Sequence, residues 1–171
     1  YPSTLFDTLM RLFSPNSSAP RRAARLKKPV KPAFEKLNGL TVLLAEDQEI
    51  NQEVAREILK KAGITTVIAN NGQEAVDLLA KNRYDMVLLD VQMPVMDGLA
   101  AAHAIRALDV PYAAGIPIIA MTAHAMAEDE ARCLAAGMND YISKPVIPNT
   151  LFSTLAKWAP KRARARGKRK A

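Results

Sequence analysis

The stretch "YDMVLLDVQMPVMDG", Tyr84 to Gly98, constrains the fold more than any other part of the chain. Four apolar residues, Met86 to Leu89, run without a polar partner and end on a single carboxylate, Asp90. A strand with one wet face alternates apolar and polar residues. One that does not alternate is covered on both faces, as in a parallel sheet between two helical layers. Ligands of such sheets sit outside the carboxyl ends of the strands, which is where Asp90 would stand. Taken alone, a strand-ending Asp that caps the next turn is the blander reading. The rest of the chain decides between the two.

The flanking patterns repeat the same theme. "LTVLLA" from Leu40 reads as a first strand, and Ile50, Val54, Ile58 and Leu59 then recur at helical spacing up to Gly63, a helix stop. "TTVIA" is strand-like, and Ala75, Val76 and Leu79 mark a short helix before the Met86–Asp90 strand. Leu99 to Leu108 reads as helix, "IPIIAMT" as the fourth strand, Ala125 to Ala136 as a helix closed by Gly137, and "DYIS" as a short fifth strand. Leu151, Phe152, Leu155 and Trp158 line a last amphipathic helix. Strand and helix thus alternate about five times, which predicts an α/β fold: a doubly wound, five-stranded parallel sheet, flavodoxin-like, with helices on both faces.

Charge divides the chain. Residues 1–39 hold eight Lys/Arg and two acids, and residues 161–171 hold seven Lys/Arg and no acid. The remainder holds nine Lys/Arg against fifteen acids, so the folded body is acidic although the whole chain carries +7. A nucleic-acid-binding face on that body is not expected. Residues 16–38, rich in Ser, Pro and basic residues, read as a linker; 39–160 as the folded domain; 161–171 as a basic, disordered tail. No apolar run approaches the roughly 20 residues of a membrane span. The chain opens on Tyr1 without a secretory signal pattern, so a piece of a longer protein is expected. One cysteine, Cys133, excludes an internal disulfide and a cysteine-based metal cluster.

The start of the chain echoes its end. "PSTLFDTL" (Pro2–Leu9) and "PNTLFSTL" (Pro148–Leu155) agree at six of eight positions, the Pro included. Duplication accounts for this better than two unrelated amphipathic helices do. Residues 1–15 are then expected to be the last helix of a preceding domain of the same type. Its apolar stripe, Leu5, Phe6, Leu9 and Leu12–Phe13, is expected to dock on its own domain or on a second copy, with self-association through this helix preferred.

Strand ends also collect the chemistry. The first strand ends in Glu46-Asp47 and the third in Asp90, and these strands are neighbours in the usual winding. Each like-charge pair at a few ångströms costs roughly 4 kcal/mol at an effective dielectric near 20. Such a cluster persists by raising pKa values or by binding a cation. All-oxygen donors suit a hard ion, with Mg2+ (or Mn2+) the best fit. The fourth strand ends in Thr122, a hydroxyl, and the fifth is followed by Lys144-Pro145. Carboxylates, a hydroxyl and one ammonium around a divalent ion are the parts that phosphoryl transfer needs.

Glu46-Asp47, Asp90 with "MPVMDG", Thr122-Ala123 and Lys144-Pro145, in this order over Leu40 to Pro160, resemble the receiver domain of two-component response regulators. "AEDQEINQ" and "DVQMPVMDG" are most similar to receivers carried on hybrid histidine kinases, and with the echo above, ones with tandem receivers are the class expected here. The resemblance implies that Asp90 accepts a phosphoryl group from a phosphohistidine donor, a kinase or histidine phosphotransfer domain. It implies that Asp47 binds the metal directly, Glu46 through water, and the backbone carbonyl of Gln92 as a further ligand. Lys144 would pair with the phosphoryl oxygens and Asp90, its ammonium aimed by a cis Lys144–Pro145 bond. Thr122 and Tyr141 would form the switch, and Gln92 and His124 would tune the lifetime of the acyl phosphate. The resemblance implies a bacterial, cytoplasmic chain whose parent is a hybrid sensor kinase, membrane-anchored or not, and a fragment that would catalyse only its own phosphorylation and dephosphorylation.

Other readings compete. A metal-dependent phosphatase with an Asp nucleophile usually places a second acid two residues on, where this chain has Gln92. A degenerate receiver serving as a protein-binding scaffold is opposed by the complete set of Glu46, Asp47, Asp90, Thr122 and Lys144. His103 reads as a surface helix residue, Cys133 as a packed one, and Met93 and Met96 as packing and loop residues.

Overall fold

The structure, a computed structural model, describes residues 35–123 and 127–160. The elements follow the expected order: β1 (Thr41–Ala45), α1 (Glu49–Lys61), β2 (Thr65–Ala69), α2 (Gly72–Lys81), β3 (Met86–Asp90), α3 (Gly98–Ala107), β4 (Ile118–Thr122), α4 (Ala127–Ala135), β5 (Asp140–Ser143) and α5 (Pro148–Trp158). The five strands form one sheet in the order β2-β1-β3-β4-β5, and every pairing is parallel.

The unalternating strands are buried on both sides, and their residues divide between two cores. Leu43, Val87, Leu89, Ile118 and Ala120 pack on one side, with Val76, Leu79, Ala102, Ile105 and Cys133 of α2, α3 and α4. Val42, Leu44, Met86, Leu88, Ile119 and Met121 pack on the other, with Ile58 and Leu59 of α1 and Leu151, Phe152 and Leu155 of α5. This period of two applied to an all-apolar run is what a two-sided sheet requires. Full burial of each large side chain is worth about 1.5–3 kcal/mol, so the central strands hold the domain together.

Local signals fix the helix starts. The Asn71 side chain caps α2 by accepting from Glu74 N–H at 2.9 Å, and the Glu74 carboxylate returns to Asn70 N–H at 2.7 Å. Asp97 caps α3 through Ala100 N–H at 2.8 Å. Pro148 opens α5 in its first turn, where its missing N–H costs nothing.

Two expectations need correction. The folded body reaches back into the stretch assigned to the linker: Leu37 is fully buried, because Leu37 N-terminal to β1 fills the α1–α5 side of the core beside Leu40. The helix over α1 is present, and of the four apolar residues that marked it Ile58 and Leu59 are buried as expected but Ile50 and Val54 are not. Ile50 is 79% and Val54 37% exposed, while Ala55, Ile58, Leu59 and Ala62 face the sheet. Ala55 and Ala62 complete the buried stripe with Ile58 and Leu59, at positions where a small residue gave no signal. The echo segment 1–15, most of the linker, the tail 161–171 and His124 lie outside the described residues.

Candidate functional site

β1 is paired on one side with β2 and on the other with β3, so the winding reverses between β1 and β3. The chain leaves both strands at their carboxyl ends there, opening a crevice. Glu46 follows β1 at once and Asp90 is the last residue of β3; the two are only 1% and 4% exposed. With the more open Asp47 they bring one carboxylate oxygen each to within 4.8 Å of one another.

Lys144 is the counter-charge. Its backbone N–H donates to Thr122 O at 2.7 Å, holding it beside the end of β4. Its Nζ donates to Asp90 Oδ2 at 2.6 Å and to Glu46 Oε2 at 2.7 Å. The Lys144–Pro145 peptide is cis. Glu46 is held from behind, its Oε1 accepting from Asn51 Nδ2 at 3.0 Å and Gln48 N–H at 3.3 Å, while Gln52 Nε2 donates to its backbone carbonyl at 2.6 Å. Asn51 and Gln52 were not singled out from the sequence. They sit in the first turn of α1, inside the stretch "AEDQEINQ" but with no role assigned there, and their spacing of five and six from Glu46 brings that turn back over the strand end.

Burial raises the Asp90 pKa above the usual carboxylate range. The hydrogen bonds from Lys144 and from Gln92 N–H (3.2 Å) offset only part of that. Burial pulls Lys144 towards neutrality, but its bonds to Asp90 and Glu46 outweigh it and raise its pKa. The site therefore holds a firmly protonated ammonium against an acid that pays for being ionised.

The loop after Asp90 is built by close backbone approach. A Cβ on Gly98 would lie 2.2 Å from Asp90 O, and Gly98 N–H donates to Val91 O at 3.0 Å. A Cβ on Gly72 would lie 2.5 Å from Met96 O, whose partner is Gly72 N–H at 3.1 Å. Between these clamps Val95 adopts φ 68° and is 85% exposed. Left-handed backbone is costly for a β-branched residue, so the rest of the loop must hold it there.

Thr122 ends β4 and is 6% exposed. A cleft of about 490 Å³ opens beside the acids, lined among others by Asp47, Gln92, Pro94, Thr122, Asp129 and Arg132. Tyr141, half-buried, lies on β5 in register with Ala120 and packs against the α2–α4 core. The Glu130 carboxylate beside its hydroxyl raises its pKa. The structure thus brings Glu46, Asp47, Asp90, Gln92, Thr122 and Lys144 to one rim, with Tyr141 beyond Thr122 on the neighbouring strand. His103 is exposed and Cys133 buried, away from this constellation's acids.

Three carboxylates and one lysine at the switch point of a five-stranded parallel sheet define a class, the phosphoacceptor domains of two-component signalling. The chain belongs to the response regulator receiver domain family, whose family model matches residues 42–156. Among curated proteins it is similar to hybrid signal transduction histidine kinase I of Dictyostelium discoideum, 41% identical over 119 residues, covering 67% of this chain and 7% of that protein. It is also similar to the sensor protein GacS of Pseudomonas syringae pv. syringae, 38% identical over 118 residues, covering 68% of this chain and 13% of that protein. The chain therefore spans only a small part of these relatives, which come from bacteria and eukaryotes alike.

Among solved structures it resembles the receiver domain of the sensor histidine kinase PA1611 from Pseudomonas aeruginosa PAO1, which has magnesium coordinated in its active-site cleft. The identity is 39% and the TM-score 0.66, covering 71% of this chain and 98% of that one. It also resembles a co-crystal structure from Saccharomyces cerevisiae of the histidine phosphotransfer protein Ypd1 with the receiver domain of the response regulator Ssk1. There the identity is 32% and the TM-score 0.63, covering 70% of this chain and 88% of that one.

Proposed function

We propose that this receiver accepts a phosphoryl group on Asp90 from a phosphohistidine donor, in a reaction that requires Mg2+. The observation that carries the reading is the convergence of Glu46, Asp47 and Asp90 oxygens within 4.8 Å, with Lys144 Nζ on two of them. An all-oxygen donor set of this charge fits a hard divalent ion. Asp47 and Asp90 would hold it directly, the Gln92 carbonyl would add a ligand, and Glu46 would act through water. Bound there, Mg2+ neutralises charge on the transferring phosphoryl oxygens.

The chain's own residues do the rest. An Asp90 carboxylate oxygen attacks phosphorus, a new O–P bond forms, and the P–N bond to the donor imidazole breaks, returning a neutral histidine. Lys144 moves from balancing two carboxylates to balancing Asp90 and the phosphoryl oxygens. Thr122 offers its hydroxyl to a phosphoryl oxygen, and Tyr141 follows inward from its place beside Glu130. Gln92, which leaves the site after Asp90, and His124, which follows Thr122 by two in the sequence, would tune the lifetime of the acyl phosphate. The donor's approach is served by apolar side chains on the segments leaving the site: Ile50, three residues after Asp47, and Ile147, three residues after Lys144, are 79% and 55% exposed. The similarity to the Ypd1-bound receiver supports a histidine phosphotransfer protein as donor. We place the domain in the cytoplasm as part of a hybrid histidine kinase. Among the described residues no helix is long and apolar enough to cross a membrane.

Incubation with acetyl phosphate and Mg2+, followed by mass spectrometry, tests the assignment. One phosphoryl group on Asp90 is expected, absent when the metal is chelated before acetyl phosphate is added and absent in Asp90→Asn. Equal labelling of that variant would show that another residue is the acceptor.

A further inference from the structure

The cleft beside the acids carries a charged wall that the reaction above leaves unused. Asp47, Gln92 and Thr122 line it, and α4 adds Asp129 and Arg132. Asp97 is a third acid of the lining, and Arg132 is the one cation among the described residues that line it. Lys144, the other cation of the site, is already engaged, with Nζ 2.6 Å from Asp90 and 2.7 Å from Glu46.

Arg132 stands on a fixed backbone but is held loosely. Its neighbour Cys133 and Ala136, one turn on, are each 3% exposed and anchor α4 in the core. The Arg132 side chain is 68% exposed, and its partner is Asp129, three residues earlier, at 3.7 Å. That separation is beyond hydrogen-bond range, and an exposed ion pair of this kind contributes little. The guanidinium can therefore leave Asp129 at small cost and without movement of the helix. A phosphoryl group brings roughly two negative charges into a cleft whose lining is mostly acidic where it is charged. In the transition state that charge is spread over three oxygens, and the planar fork of a guanidinium matches two of them at once.

We propose that Arg132 is a donor-binding residue of this receiver. Its guanidinium leaves Asp129 and takes oxygens of the incoming phosphoryl group, while Lys144 stays with Asp90. This rests on Asp90 being the acceptor. With acetyl phosphate as donor, an Asp90 oxygen forms the new bond to phosphorus, and the P–O bond to acetate breaks with its electron pair leaving on the acetate. Arg132 moves no proton; it neutralises oxygen charge and orients the group.

The 171-residue protein and its variants are compared for the second-order rate of labelling by acetyl phosphate with Mg2+. Arg132→Gln is expected to be slower by about 5–20-fold, and Arg132→Lys to recover part of the loss, since it keeps the charge but not the fork. Asp129→Asn, which frees the guanidinium, should label about twofold faster, and that gain should vanish in the double variant with Arg132→Gln. Arg56→Gln, which removes an exposed cation of α1 paired with Glu53, is the control and should label at the parent's rate. Binding is read separately in Asp90→Asn, where no transfer occurs: the Nε–H resonance of Arg132 is expected to shift as acetyl phosphate is titrated in with Mg2+. Parent labelling on Asp90 with Arg132→Gln no slower than Arg56→Gln would overturn the inference and leave Asp90 as acceptor. An Arg132 resonance that does not move would overturn it too. A parent without label on Asp90 would overturn both readings.

Discussion

At the scale of single residues, the site is a charge balance held under burial. Asp90 is nearly inaccessible and its pKa is raised by desolvation, so the folded state favours its protonated form more than the unfolded chain does. That favourable contribution is fully present below the ordinary carboxyl pKa and fades as pH rises through the raised one. Asp90→Asn removes the cost of ionisation. The variant is therefore expected to be more stable than the parent at pH 7 without metal, by about 1–2 kcal/mol, with the gap closing towards pH 4. Denaturant melts across that range measure it; a variant less stable at neutral pH would mean that the bond to Lys144 outweighs desolvation. The two acids after β1 are expected to separate in a magnesium titration. Asp47→Ala should weaken binding more than Glu46→Ala, since a direct ligand lost costs more than one acting through water. The reverse order would reassign the pair. These acids, the Thr and the Lys were legible in the sequence because each stands where a strand stops. Glu46's second duty, accepting from Lys144, was not legible, because a contact between residues 98 apart has no local pattern.

Elements place these residues, and the β3–α3 connection does so most tightly. Gly98 begins α3 against the backbone of Asp90, so any side chain there must push the strand end or the helix. Gly98→Ala is expected to cost about 1–3 kcal/mol, in the range of overpacking a rigid contact, and to slow Asp90 labelling as the carboxylate shifts. Unfolding midpoints together with acetyl phosphate labelling rates check this, and an unchanged rate would show that the loop yields without moving Asp90. "MPVMDG" announced a turn and a helix start, and Asp97 does cap α3. It did not announce that Val95 would take a left-handed conformation, since nothing in a valine signals it. The same limit hid Arg106. In a helical run it looks like a surface cation, yet its guanidinium donates to the carbonyls of Gly137, Ala113 and Ile116 and to Asn139 Oδ1, all at 2.8–2.9 Å. Burial lowers its pKa. It ties the end of α3 to the segments that lead into β4 and β5, and periodicity carries no trace of such a stitch.

For the whole molecule, the sheet order followed from strand–helix alternation, because a parallel sheet of this size with two helical layers leaves few windings. Segment roles outside the sheet were less legible, since they depend on partners. One face of the described sheet is already covered by α1 and α5, the latter through its buried Leu151, Phe152 and Leu155. Leu5, Phe6 and Leu9 repeat that apolar surface and cannot enter the same groove without expelling α5. Left in water, three or four such side chains forgo about 1.5–3 kcal/mol each, several kcal/mol in all. Two copies of the stripe can cover one another, and the acidic body, at about −6, opposes this only weakly at physiological ionic strength, where screening acts over about 8 Å. The 18.7 kDa chain is therefore expected to self-associate, with a weight-average mass that rises with concentration towards twice that of the monomer. Light scattering should give the monomer mass once residues 1–15 are removed, and also for Leu5→Asp with Leu9→Asp in the intact chain. Phosphorylation of Asp90 should leave the difference in place. Equal masses with and without residues 1–15 would show that the stripe finds cover within its own chain.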